Sequence, residues 1–369
     1  MNNTPGIDIY DSLRYAAVMI MFTRMLSTVV YLCPNIGNNL KLKTRNNQKE
    51  KNQDDGKSGI DGRKMISSFK EMFYYQTSIV GINVGPIFNY QEFTSTMNPS
   101  KRHFNYFKIL DAFVTNTIGD LIYEYAGSVD NVLSDNYFQN TTITETLIYI
   151  TLISIAFRFR LNSAFSLGEI IMNACGVEVY NKNDPKCEKN KWINGMDFKN
   201  YLCKNSFRSA MRAWNMSIQL WIYRCFYKML NLHKLNRNIA LVIVIAFNMV
   251  WHGPYLAYFM AGSVFLFSTI IQDCIINMYS NSKNIKTEAS NVKDLKECWN
   301  LIRKGNVNFD IVFNLILWIT TQTTVDFIIV ALFTTNVSIV WKLWKFLYFY
   351  PLIMWMLLLL FIKLVRSYK

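Results

Sequence analysis

Three histidines occur in the chain, and one of them, His252, stands inside an apolar run, NMVWHGPYLAYF (248–259). An imidazole titrates near pH ~6.5, so this residue type suits proton transfer at neutral pH. Among apolar side chains it is costly unless the ring is hydrogen-bonded or faces a polar cavity. A histidine bonded to a neighbouring carbonyl is the bland alternative, and placement within a membrane segment favours the functional one. Asn248 lies four residues earlier, and on a helix it shares a face with His252, where its amide would orient the ring. Gly253 and Pro254 follow at once and break the helix, which lets backbone or substrate approach the imidazole.

A second constellation lies in RAWNMSIQLWIYRCFYK (212–228). Arg208, Arg212, Asn215 and Gln219 recur at offsets of four, three and four, which on one helix makes a single polar stripe, with Trp214 on another face. On a membrane helix such a stripe faces the protein interior or water. A helix lying along the interface, polar side in water, fits the pattern equally well. Upstream, Phe157-Arg158-Phe159-Arg160 supplies two more guanidinium groups, whose forks match phosphate geometry. Interfacial anchoring is the competing role for all of these arginines.

The elements that must hold these residues follow from composition. Of 369 residues, 51% are hydrophobic and 15% aromatic, more apolar surface than one soluble core hides. The apolar residues cluster into stretches at or beyond the ~20 residues that cross a bilayer, notably 254–276, 307–335 and 337–362. The expected fold class is therefore all-α, a polytopic integral membrane domain over 1–369 with about eight to ten helices, some re-entrant. Further helices are expected at 9–33, 104–126, 143–157, 161–180, 208–230 and 239–252, with a broken one over 72–90. The junction of 143–157 and 161–180 would put Arg158 and Arg160 near a bilayer boundary.

The net charge is +14, and its location decides its meaning. A polar stretch at 35–64 reads as a flexible linker, and basic loops at 181–207 and 280–306 separate the apolar runs, the pattern of cytoplasmic membrane loops. If both basic loops are cytoplasmic, an even number of crossings separates them. One of the three intervening helices is then re-entrant, and 239–252 is the shortest. No helix-turn-helix, RNA-recognition or zinc-finger pattern supports nucleic acid as a partner. Seven scattered cysteines form no ligand spacing, so no metal is expected. No G-x-S-x-G elbow is present for serine hydrolase chemistry.

Together these strings resemble the membrane-bound O-acyltransferases, in particular the lysophospholipid acyltransferase branch. Trp251-His252-Gly253 followed by Pro254-Tyr255 is similar to the family's histidine motif. Trp214-Asn215-Met216-Ser217, with Gln219, Trp221, Tyr227 and Lys228, is similar to its asparagine motif, 37 residues upstream of the histidine. VGINVGPIFNYQEF (80–93) and FRFRLNSAFSLGEIIMNACG (157–176) resemble two earlier segments, and within the branch the lysophosphatidylinositol acyltransferases are most alike. The resemblance covers residues 65–280. The chain begins where the family has several membrane helices behind it, so N-terminal helices are expected to be missing. The segment 310–335, with Thr320, Thr321, Gln322, Thr323, Thr324 and Asp326, follows no family pattern.

The resemblance implies transfer of a fatty acyl group from acyl-CoA, a co-substrate rather than a cofactor, to the free hydroxyl of a lysophospholipid, with lysophosphatidylinositol as the expected acceptor. His252 and Asn215 would be catalytic, the first as general base and the second as hydrogen-bond donor to the thioester or its oxyanion. Arg158, Arg160, Arg208, Arg212, Gln219, Trp214 and Asn248 would bind substrate, among membrane lipids and in the endoplasmic reticulum membrane. A protein or peptide O-acyltransferase of the same superfamily is the nearest alternative. A non-catalytic membrane scaffold or a transporter is the alternative of another class.

Overall fold

The structure, a computed structural model, describes residues 19–25, 69–78, 106–127, 136–175, 195–223, 235–253, 255–282, 294–305, 309–334 and 336–367, together with single positions between them. The linker expected at 35–64, and residues 181–194 and 283–293 of the basic loops, lie outside the described residues. Among the described residues the regular elements are helices. In chain order they are α1 (Phe69–Thr77), α2 (Tyr106–Ala126), α3 (Tyr137–Asn140), α4 (Ile143–Ala174), α5 (Phe198–Cys203), α6 (Phe207–Ala213), α7 (Met216–Ile222), α8 (Arg237–His252), α9 (Leu256–Ser282), α10 (Leu295–Arg303), α11 (Phe309–Phe333), α12 (Val337–Phe346) and α13 (Tyr350–Ser367).

Helices begin where a side chain can satisfy the free amides of the first turn. Ahead of α4, the Glu145 amide donates to Thr142 Oγ1 at 3.2 Å and the Thr142 amide donates to Glu145 Oε2 at 2.7 Å, a reciprocal capping box. Side-chain oxygens of Asp197, Ser206, Asp294 and Asn336 cap α5, α6, α10 and α12.

Among the described residues, three helices suffice by length and composition to cross a bilayer: α4, α9 over Leu256–Ser280, and α11. Two boundaries depart from expectation. The helices expected at 143–157 and 161–180 are one, α4, since no Gly or Pro stands at their junction, 158–160, and Arg158 finds its counter-charge inside the protein. The single span expected over 337–362 is instead α12 and α13, bent by 47°. Pro351 lacks the N–H that a continuing helix would give to the Leu347 carbonyl. Tyr348 and Phe349 make the turn, with φ of 53° and 49°.

The chain divides into two compact units. One draws on Met1–Ile109, Phe165–Gly195 and Asn215–Val244, the other on Leu110–Ala164, Met196–Trp214 and Ile245–Lys369. In the first, the buried Arg24 reaches the end of α1, its Nη1 donating to the Ser78 carbonyl at 2.5 Å. In the second, α9 packs against α11 and α13, and α10 and α12 against α11. Its core includes Phe207, Ala261, Ile275, Phe327, Trp344 and Trp355.

Helix α11 is central there: 67% of its apolar window is buried, against 39% for α4 and 44% for α9. Its polar residues are therefore cut off from water and must be bonded within the protein. The hydroxyls of Thr320, Thr323 and Thr324 donate to the carbonyls of Ile316, Ile319 and Thr320 at 2.8, 2.8 and 2.6 Å. Asp326 accepts from Arg158 Nη2 at 2.5 Å and from Ser154 Oγ at 2.6 Å, while Gln322 Oε1 accepts from Arg158 Nη1 at 2.7 Å. These bonds join α4 to α11 across 164 to 172 residues of chain.

Both members of the Arg158–Asp326 pair are buried, at 5% and 9% exposure. Asp326→Leu, which strands a guanidinium, is expected to cost about 3–5 kcal/mol, and the double change Arg158→Met/Asp326→Leu about half of that or less. Thermal unfolding of the three proteins in one detergent checks the order. A double variant no more stable than Asp326→Leu would show that the pair is not the coupled unit.

Candidate active site

Helix α8 is built from Asn238-Ile239-Ala240-Leu241-Val242-Ile243-Val244-Ile245, an apolar run that continues to its last residue, His252. It stops there because Gly253 takes φ +128°, a conformation that L side chains rarely adopt, and its amide turns back to the Val250 carbonyl at 3.1 Å. A Cβ on Gly253 would also lie 3.0 Å from Cδ2 and Cε2 of Tyr255. The imidazole is thereby left at a helix end, half-buried. Its ring meets Trp251 at 4.9 Å and Tyr258 at 6.0 Å, both edge-on, and Tyr258 in turn meets Tyr255 at 5.6 Å. Where α8 and α9 approach, Gly262 admits Met249, whose Sδ would be 2.7 Å from any added Cβ.

No hydrogen bond joins Asn248 to His252, so the ring is held by aromatic contacts rather than by the amide expected to orient it. The indole Nε1 of Trp251 is buried and without a hydrogen-bond partner among the described residues.

The asparagine is presented differently. A continuous helix through Arg208, Arg212, Asn215 and Gln219 does not form: α6 ends at Ala213 and α7 begins at Met216, so the single polar stripe is broken. Asn215 itself makes the break, at φ 42° and ψ 54°. Asparagine tolerates this left-handed conformation better than most residues. Its side chain makes no capping bond, and its Oδ1 is buried and unpartnered among the described residues. Its carbonyl accepts from the Gln219 amide at 3.1 Å, and the Gln219 side chain is half-buried.

Backbone bonds from residues 195–197 lace the turn on both sides. The Met216 amide donates to the Gly195 carbonyl at 2.8 Å, and the Asp197 amide donates to the Ala213 carbonyl at 2.9 Å. Gly195 is held in turn by Glu169, whose Oε1 accepts from the Gly195 amide at 2.8 Å. Glu169 is buried and ion-paired with Lys108.

Trp214 is half-buried and packed inside its unit, stacked on Phe157 at 6.2 Å and against Tyr201 at 4.9 Å. The Arg158 guanidinium lies 5.3 Å from the Tyr201 ring centre. The loop between α5 and α6 is bonded on several sides: Gln272 accepts from the Phe207 amide at 2.7 Å and donates to Thr321 Oγ1 at 2.9 Å, and Trp318 Nε1 donates to the Leu202 carbonyl at 2.8 Å.

Three of the four arginines expected to meet substrate phosphates have carboxylates of the protein for partners. Arg158 pairs with Asp326, Arg160 with Asp120 at 2.6 Å, and Arg208 with Asp273 through Nε at 2.8 and 2.9 Å and Nη2 at 2.5 Å. Arg160 also lies over the Tyr123 ring at 4.4 Å. Arg212 is exposed, and among the described residues it has no hydrogen-bond or ion-pair partner.

Glu169 and Gly195 carry no motif that spacing alone could flag, because they meet across 26 residues of chain. The signal that was present is the acidic residue itself: a carboxylate on a membrane-spanning helix must find a donor.

The membrane-bound O-acyltransferase family profile matches residues 61–293, a region that includes Asn215, His252 and all four arginines. Over 242 residues the chain is 25% identical to the membrane-bound acylglycerophosphatidylinositol O-acyltransferase mboa-7 of Caenorhabditis elegans, covering 58% of this chain and 51% of the relative. It is 23% identical over 234 residues to mboa-7 of Caenorhabditis briggsae, covering 56% and 50%. To the human membrane-bound glycerophospholipid O-acyltransferase 2 it is 22% identical over 197 residues, covering 53% and 33%. The chain thus spans about half the length of the nematode relatives and a third of the human one.

The terminus of α8 gives a direct test. Gly253→Ala meets both an unfavourable φ and the Tyr255 ring, whereas Gly305→Ala, at φ +77° with nothing within 4 Å, meets the backbone strain alone. Strain of this kind costs about 1–3 kcal/mol. Thermal unfolding should therefore rank Gly253→Ala below Gly305→Ala, and equal unfolding temperatures would deny the Tyr255 contact a role.

Proposed function

The chain belongs to the membrane-bound O-acyltransferase family, and we propose that it transfers a fatty acyl group from acyl-CoA to the free hydroxyl of a lysophospholipid, with lysophosphatidylinositol as the acceptor. The observation that carries this reading is the His252 imidazole, which ends an apolar helix among aromatic rings and is bonded to no other described side chain. Such a ring is free to engage substrate. In the proposed reaction the acceptor hydroxyl oxygen attacks the thioester carbonyl carbon while His252 removes the hydroxyl proton. The tetrahedral intermediate collapses with cleavage of the C–S bond, the ester forms, and the imidazolium returns its proton to the departing CoA sulfur. No covalent acyl-enzyme is needed.

Asn215 is assigned the oxyanion or the acceptor hydroxyl. Its side chain makes no capping bond, which leaves Oδ1 for substrate among the described residues. Arg212 is the best-placed reader of the acceptor's net negative headgroup among the four arginines, because the other three already face carboxylates. The nematode relatives are named for acylglycerophosphatidylinositol substrates, which supports an inositol headgroup. Such a headgroup offers negative charge and hydroxyls to arginines and amides, whereas choline is recognised by an aromatic cage. The proposed setting is the endoplasmic reticulum membrane, among other membrane lipids.

His252→Ala should remain inserted and unfold near the parent temperature while losing at least about 100-fold in acyl transfer, the lower range of general-base contributions. Transfer of labelled acyl-CoA to lysophosphatidylinositol by purified protein measures it, and parental turnover would remove His252 from the chemistry.

Acceptor choice is tested by competition between lysophosphatidylinositol and lysophosphatidylcholine at equal concentration with one acyl-CoA. The inositol lipid should win in the parent, and Arg212→Gln should shrink that preference by about tenfold, one charge-assisted hydrogen bond's worth. A parental choline preference would overturn the substrate assignment. Unchanged selectivity in Arg212→Gln would overturn the role of Arg212 alone.

A further inference from the structure

We propose that Glu169 is a positioning residue which, acting through Gly195, holds the left-handed turn at Asn215 and so sets the direction of the Asn215 amide. The proposal rests on the acyl-transfer role given to Asn215 above.

Asn215 has no means of its own to hold its conformation. Its side chain caps nothing, and a left-handed backbone is unfavourable for a residue with a Cβ. The constraint comes from the next amide: Met216 donates to the Gly195 carbonyl at 2.8 Å. A bond to a chain segment fixes a turn only if that segment is itself fixed. Gly195 is fixed twice, by its own amide donating to Glu169 Oε1 at 2.8 Å, and by its bare Cα resting on Phe165. An added Cβ there would lie 2.7 Å from Phe165 Cβ and 2.9 Å from Phe165 Cγ, atoms near the backbone that cannot swing aside. Phe165 and Glu169 are four residues apart on α4, hence on one face of that helix. One helix face thus supplies both the surface and the hydrogen-bond acceptor that seat Gly195.

The chemistry of the acceptor matters as well. Glu169 is 2% exposed, and its charge is balanced by Lys108. An acceptor paired with an ammonium group makes a charge-assisted hydrogen bond, which binds an amide more strongly and at a better-defined place than a neutral one. From Glu169 to Asn215 the path is two hydrogen bonds and one peptide, with no flexible side chain beyond the carboxylate.

The test uses the full chain in lipid nanodiscs, with two readouts: hydrogen exchange of the peptide containing Met216, and turnover with acyl-CoA and lysophosphatidylinositol. In Glu169→Leu, exchange at Met216 should quicken by about tenfold or more. Its turnover should fall as in Asn215→Ala, and Glu169→Leu/Asn215→Ala should be no slower than Asn215→Ala within about threefold, because residues acting as one unit are not additive. Glu169→Gln keeps an oxygen that accepts from the Gly195 amide and should restore most of the turnover. Multiplied losses in the double variant, or unchanged exchange at Met216 in Glu169→Leu, would overturn the proposal. Should Glu169→Leu not fold, Glu169→Gln decides it: turnover as low as Asn215→Ala with the acceptor oxygen retained would overturn it equally. If Asn215→Ala proves fully active, the catalytic role of Asn215 falls, and the exchange at Met216 still judges the link from Glu169.

Discussion

A polar atom that folds into hydrocarbon finds no water there, so its partner must come from the protein. This constraint organises the second unit. Helix α11 carries threonines, a glutamine, an asparagine and two aspartates that its apolar neighbours alone could not host. Thr320, Thr323 and Thr324 close onto their own backbone, while Asn314, Thr321, Gln322 and Asp326 reach Asn205, Gln272, Tyr201 and Arg158. Each such bond ties another element to α11: the α5–α6 loop, α9, and α4. Packing of apolar side chains fills the space between these helices, but it is non-directional. The hydrogen bonds choose the register.

Two candidate positions, one in each unit, follow the opposite rule. Where α11 satisfies its polar atoms, Asn215 Oδ1 and Trp251 Nε1 are buried and unpaired among the described residues. Most buried polar atoms in folded proteins have a partner, and these two are among the exceptions. The two motifs reach this state by different means. His252 is delivered by a helix that runs out at a glycine, and Asn215 by a helix interrupted at a residue able to turn left-handed. In neither case is the side chain occupied with capping, the usual local use for a polar residue at a helix end.

Much of this was legible in the sequence, and the remainder was not for definite reasons. The long spans at 256–280 and 309–333 announce themselves by apolar length, and the histidine at the end of its helix by Gly253 and Pro254. The bend before α13 was signalled by Pro351, read past because the run around it is so apolar. The break at Asn215 carries no Gly or Pro, and an i, i+3, i+4 pattern cannot reveal that its helix is interrupted. Arg158, Arg160 and Arg208 resemble phosphate readers only while their carboxylate partners are unknown. Those partners lie 168, 40 and 65 residues away, beyond any local pattern. The odd polar string of α11, which fitted no family motif, is explained once its partners are seen.

The seating of Gly195 on α4 also has a topological consequence. The chain leaves α4 at Ala174 and returns to the same helix at Glu169, five residues back, or about 7.5 Å along the axis. Ala174 and Gly195 are therefore both held by one rigid rod, the first as part of it and the second by hydrogen bond. The entropy of closing such a loop grows only with the logarithm of its length, about 0.6 kcal/mol for each doubling. Length and composition between those two residues are thus nearly decoupled from the turn at Asn215.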